Sequence, residues 1–92
     1  MNTVRKRITL RGRVQGVGLR YTVRMECEAR SLTGWVRNEW DGSVVMEVQG
    51  RADLIRDMLD EVAAAPFIRI EDVESETIPL IRDETRFRYL MH

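Results

Sequence analysis

Gly12-Arg13-Val14-Gln15-Gly16-Val17-Gly18-Leu19-Arg20 joins a strand pattern before it to a helix pattern after it. Glycine reaches backbone conformations that a Cβ makes strained, so the stretch can turn tightly. Successive amide N–H groups ahead of a helix start form a concavity suited to an oxyanion. Arg20 stands at that hinge, and its planar fork can hold two phosphate oxygens at once. Taken alone, the nine residues fit a small phosphate site and a tight turn with a surface arginine equally well. No Gly-Lys-Ser or Gly-Lys-Thr follows, which excludes a P-loop. The glycine spacing also differs from the dinucleotide fingerprint, whose fold needs a longer chain.

Upstream, Met1 to Thr3 read as a loose end. Val4, Ile8 and Leu10 then share one parity, and Arg5, Arg7, Thr9 and Arg11 the other. That alternation predicts a strand with an apolar face and a basic, wet face, on which Lys6 breaks the pattern and snorkels. Downstream, Leu19 to about Arg30 read as a helix. Leu19, Val23 and Cys27 recur four apart, and Glu26 and Arg30 form an i,i+4 pair. On that stripe Cys27 is read as a small core residue in preference to a reactive thiol.

Trp35-Val36-Arg37-Asn38 reads as a second strand, and Asp41-Gly42 as a hairpin turn. The return strand, Ser43 to about Gln49, puts Val44, Met46 and Val48 on one face and Glu47 and Gln49 on the other. Gly50 is expected to end it. Ala52 to Ala65 carry a helical stripe of Leu54, Ile55, Met58, Leu59 and Val62, stopped by Pro66. A fourth strand lies within Phe67 to Thr77, with Ile68, Ile70 and Val73 apolar and an irregularity between the last two. A loop from Ile78 to Glu84 leads to a short alternating strand, Thr85 to Leu90.

Strand, helix, strand, strand, helix, strand, plus a short last strand, predicts an α+β, ferredoxin-like split βαβ sandwich. Its sheet is mainly antiparallel, with both helices on one face. The first strand is central, and the first and second strands both run antiparallel to the third between them. Their C-terminal ends therefore emerge at one edge, bringing Asn38 toward the glycine loop. Read by itself, an asparagine before a turn more simply bonds nearby backbone.

Residues 1–92 are expected to form a single domain with one modest core. The 15 basic and 15 acidic residues cancel, so no bulk field recruits nucleic acid or an anionic membrane. Cys27 is the only cysteine and His92 the only histidine, which excludes an intramolecular disulfide, a zinc signature and a histidine triad. Any chemistry must run on arginine, amides, carboxylates or backbone. No segment reads as a membrane span or signal peptide, and a cytoplasmic monomer is the expectation.

Gly12 to Gly18 followed by Arg20, and Gly34-Trp35-Val36-Arg37-Asn38 followed by Asp41-Gly42, closely resemble the two signatures of the acylphosphatase family. The resemblance extends over nearly the whole chain, through the helix after Gly50 to the Phe87 strand. It implies hydrolysis of acyl phosphates by direct in-line attack of water, with no metal, cofactor or covalent intermediate. It implies that Arg20 binds phosphate and that Asn38 orients the water. The amides of Gln15, Gly16, Val17, Gly18 and Leu19 would complete the phosphate cradle.

A carboxylate is a good leaving group, so the missing histidine is no obstacle. The family commonly has phenylalanine at Leu19, alanine at Cys27 and leucine-glycine at Arg30-Ser31. These read as packing variants that leave both catalytic side chains in place. One rival is a non-catalytic phosphate-binding or regulatory module of the same fold, against which Asn38 argues. The other is an RNA-recognition module, which stacks bases on rings of its central strands. The first strand's exposed parity offers no ring. Trp35 and Tyr89 are read as packing or edge residues. Trp40, beside the turn, is read as an incidental exposed aromatic or a cover for the pocket mouth.

Overall fold

The structure, a computed structural model, describes residues 2–91. Met1 and His92, at either end of the sequence reading, lie outside the described residues. The elements are β1 (Thr3–Arg13), α1 (Leu19–Ala29), β2 (Thr33–Asn38), β3 (Val44–Arg51), α2 (Ala52–Ala64), β4 (Arg69–Ile78) and β5 (Phe87–Tyr89). The sheet order is β4-β1-β3-β2-β5. All pairs are antiparallel except β2 with β5. This is the ferredoxin-like arrangement expected, with the short last strand laid parallel to β2.

The even residues Ile8 and Leu10 of β1, with Val36 of β2 and Val44, Met46 and Val48 of β3, form the sheet's side of the core. Leu19, Val23 and Cys27 from α1 and Ile55, Met58 and Val62 from α2 close over them. Leu54 and Leu59 are only partly buried at the margin of that stripe. Cys27 is fully buried, and burial pushes its thiol up to about 12, which keeps it a protonated core group.

The other face of the sheet differs from its reading in one place. Arg5 is fully buried, not wet. Its guanidinium donates to Glu84 at 2.8 Å, to Glu47 at 3.1 Å and to Gln49 at 3.2 Å. Gln49 in turn accepts from the Ile81 amide at 2.9 Å and donates to the Ile81 carbonyl at 3.0 Å. The segment between β4 and β5 is thereby strapped over this end of the sheet. Alternation fixes which face a residue takes, but not whether a distant loop covers that face.

Two boundaries also differ, and one apolar residue is not packed. β3 runs on through Gly50 to Arg51 because both pair with the start of β1. Phe67 is exposed with φ of 70°, and β4 begins only at Arg69. Val73, read as apolar and packed, is half exposed on an edge strand. The irregularity beside it is present. Asp72 pairs with Arg11 and Ile70 with Gly12, so Glu71 is left over as a bulge. Gly12 sits against that bulge with φ of 126°, where a Cβ would meet the Glu71 amide at 2.9 Å and collide with the Arg69 carbonyl.

Helix α1 closes through Leu32 N–H to Cys27 C=O at 2.9 Å and Ser31 N–H to Glu28 C=O at 3.2 Å. This pairing requires a left-handed residue between them. Ser31 fills the place with φ of 56°. A Cβ there is strained, whereas glycine is not. Ser31→Gly is expected to stabilise the protein by about 0.5–1 kcal/mol, read from the midpoint of chemical unfolding. Arg5→Met strands two partly buried carboxylates and is expected to cost about 3 kcal/mol in the same measurement.

Candidate active site

The strand register brings the two sequence signatures together. Val44 of β3 pairs with Leu10 of β1 on one side and with Asn38 of β2 on the other. Asn38 therefore lies two strand spacings, about 10 Å, from Leu10. β1 runs out from there into the glycine loop. β5, parallel to β2, delivers Tyr89 and Leu90 to the same end, where Leu90 N–H bonds Val36 C=O at 2.9 Å.

The loop from Val14 to Gly18 is held by its apolar residues. Val14 and Leu19 are each only 1% exposed, and Val17 packs against the core. Leu19 thus keeps the inward anchor despite lacking a ring. Gly16 and Gly18 have φ of 73° and 78°, and a Cβ at either would meet open space. Their requirement is conformational, not steric crowding. Gly18 caps α1 in the left-handed region with no side-chain cap bond, and no acidic residue lies in the first turn. The first turn of α1 therefore brings no carboxylate of its own to this positive helix end.

A second tether was not legible in sequence. The Gln15 side-chain amide donates to the Glu39 carbonyl at 2.8 Å and the Ser43 carbonyl at 2.9 Å. The loop is thereby clamped to the β2–β3 hairpin. The hairpin turn is itself fixed by Asp41, which accepts from the Ser43 hydroxyl at 2.6 Å and the Ser43 amide at 2.9 Å. These bonds, the hydroxyl's above all, hold the Asp41 carboxyl below its usual range. Of the residues expected at a phosphate site, Gln15 thus engages neighbouring backbone through its side chain and leaves only its amide for a ligand.

Arg20, on the first turn of α1, is half-buried. One of its Nη atoms donates to the Leu90 carbonyl at 2.7 Å, and its guanidinium lies 4.7 Å from the centre of the Tyr89 ring. This cation–π contact and hydrogen bond fix the fork while leaving other donors free. The sequence reads Tyr89 as a packing or edge residue. Its parity with buried Phe87 was the one sequence signal that it faces α1. Asn38 does not bond nearby backbone through its oxygen. Its Oδ1 is buried and has no hydrogen-bond partner among the described residues. Buried acceptors are rarely left so outside functional sites.

Asn38 also lines a cavity of about 370 Å³ with Arg37, Glu39 and Trp40, and Trp40 stands fully exposed at it. The structure therefore brings the glycine loop, Arg20 and Asn38 to the same end of the sheet, and adds Tyr89, Leu90 and the Gln15 clamp. Gln15→Ala frees the loop from the hairpin. It is expected to lower kcat/KM about tenfold, since small misplacement is costly to positioned catalysis, with the unfolding midpoint changed much less.

The acylphosphatase family model matches residues 6–89. The acylphosphatase of Geobacillus kaustophilus is 41% identical over 87 residues, covering 94% of this chain and 93% of its own. Among solved structures, the acylphosphatase of Bacillus subtilis superposes with a TM-score of 0.86 at 34% identity, covering 95% of this chain and 98% of that one. That of Coxiella burnetii gives 0.85 at 32% identity, covering 97% and 94%.

Proposed function

This chain belongs to the acylphosphatase family, and we propose that residues 1–92 form one such domain in which Arg20 and Asn38 are the catalytic side chains. The enzyme hydrolyses acyl phosphates, the mixed anhydrides of carboxylic and phosphoric acids, to a carboxylate and inorganic phosphate. Neither a non-catalytic module nor an RNA binder is favoured beside that family membership. The roles below are our reading of the geometry. The amides of Gln15, Gly16, Val17, Gly18 and Leu19 cradle the phosphoryl oxygens at the helix start, and Arg20 holds two of them with its fork.

The buried, unpartnered Asn38 Oδ1 is the observation that carries this reading. It is an acceptor at the site edge, suited to take a hydrogen from water and aim the water oxygen at phosphorus. Water attacks in line, the bond between phosphorus and the acyl oxygen breaks, and the carboxylate leaves with that bond's electron pair. Charge spreads over the equatorial oxygens, where Arg20 and the preorganised amides stabilise it. The leaving carboxylate needs no proton, so no general acid is called for. This mechanism uses no metal or cofactor.

A cytoplasmic monomer acting on small molecules, not on nucleic acid or a membrane, is the setting we propose. No described helix is long and apolar enough to cross a membrane. The open sheet face presents Arg7 and Arg11 paired to carboxylates, and its Trp35 ring lies under the Arg37 guanidinium at 5.0 Å. Glu71, Asp72, Glu74 and Glu76 on β4 discourage pairing at that edge.

Phosphate release from benzoyl phosphate in EDTA tests the roles. Arg20→Ala and Asn38→Ala are each expected to lower kcat by about 100-fold or more, with folding unchanged by circular dichroism. Inorganic phosphate should still bind Asn38→Ala and bind Arg20→Ala much more weakly. Turnover retained in folded Asn38→Ala would remove Asn38 from the mechanism.

A further inference from the structure

Arg5, Arg7, Arg11, Arg30, Arg37 and Arg51 are all ion-paired with carboxylates. Among the described residues the other eight arginines are not, and four of these, Arg20, Arg24, Arg86 and Arg88, lie where α1 meets β5. Arg24 lies one turn beyond Arg20 on α1. Its guanidinium is 5.8 Å from the Tyr89 ring centre and 5.9 Å from that of Tyr21. One ring, Tyr89, therefore carries both Arg20 and Arg24. Arg24 Nε is buried and has no hydrogen-bond partner among the described residues. A buried charged donor is costly unless an acceptor meets it.

A cavity of about 360 Å³ lies here, lined by Arg24, Glu28, Arg86, Arg88, Tyr89 and Leu90. Three of its lining residues are arginines and one is a glutamate. It also adjoins the phosphate end directly, because the carbonyl of Leu90 is the acceptor of Arg20. Four residues of helix separate Arg20 from Arg24 by about 6 Å along the axis, a distance that a short dicarboxylic acyl chain can span.

We propose that Arg24, with Arg86 and Arg88, forms a second anion subsite that binds a distal anionic group on the acyl chain of the substrate. The preferred substrates are then acyl phosphates whose acyl chain carries its own negative charge. This rests on the reading of Arg20 as the phosphate ligand. The phosphate is held at the loop, the chain passes along Tyr89, and the distal anion meets the Arg24 fork, which is suited to a planar carboxylate.

Glutaryl phosphate and valeryl phosphate have equal chain lengths and differ in the distal carboxylate, so they make the test. Wild type is expected to favour glutaryl phosphate in kcat/KM by about three- to tenfold at low salt, the range of a partly exposed charge pair. Arg24→Gln should abolish that preference, Arg24→Lys should retain part of it, and the double variant Arg86→Gln/Arg88→Gln should reduce it. A merely structural role of Arg24, transmitted through Tyr89 to Arg20, would lower both substrates together and leave their ratio unchanged, which overturns the subsite. Free glutarate altering valeryl phosphate turnover through Arg24, without any substrate preference, assigns the site to a separate anion and also overturns it. If wild type hydrolyses neither substrate, the hydrolytic reading falls and the subsite with it; turnover of both with no preference removes the subsite alone.

Discussion

Pairing of β3 with β1 on one side and β2 on the other is the constraint on which the rest depends. Val44 faces Leu10 and Asn38 at once, so one register sets the separation between the glycine loop and the asparagine. A slip of one residue would exchange Val44, Met46 and Val48 for Val45, Glu47 and Gln49 on the core face. The hydrophobic demand of the core therefore fixes the geometry of the site. Parallel pairing of β5 with β2 adds the third component, because it directs Tyr89 and Leu90 to the same end of the sheet.

Charge is sorted across this frame. Carboxylates meet arginines on the open sheet face, where Glu84 and Glu47 reach the buried Arg5. Around the start of α1 the arginines are instead held by a carbonyl and by aromatic rings. A neutral acceptor and a ring fix an arginine without cancelling its charge. A carboxylate in the same place would cancel that charge. The zero net charge of the chain thus conceals arginines left without carboxylate partners at the end of the sheet that carries the glycine loop.

Local departures from the family's usual residues are absorbed in different ways. Leu19 and Cys27 are buried where an apolar side chain of modest size suffices, so their replacement alters packing and not placement. Ser31 occupies a left-handed turn, where the side chain gains nothing and the backbone is strained. The strain lies at the far end of α1 from Arg20, and the hydrogen bonds closing the helix tolerate it.

The sequence by itself determined the order of elements, the core stripes of both helices, an irregularity between Ile70 and Val73, and two signatures that resemble those of one family. Those features follow from periodicity, turn chemistry and two local signatures, all carried by residues near one another in the chain. Only the tertiary structure decided that Arg5 is buried, that Gln15 clamps the hairpin, that Tyr89 carries two arginines and that Asn38 Oδ1 lacks a partner. Each of these is set by residues separated by 24 to 79 positions or by the surroundings of a single atom. Side-chain parity states which way a residue points, but what waits there is fixed by the packing of distant segments.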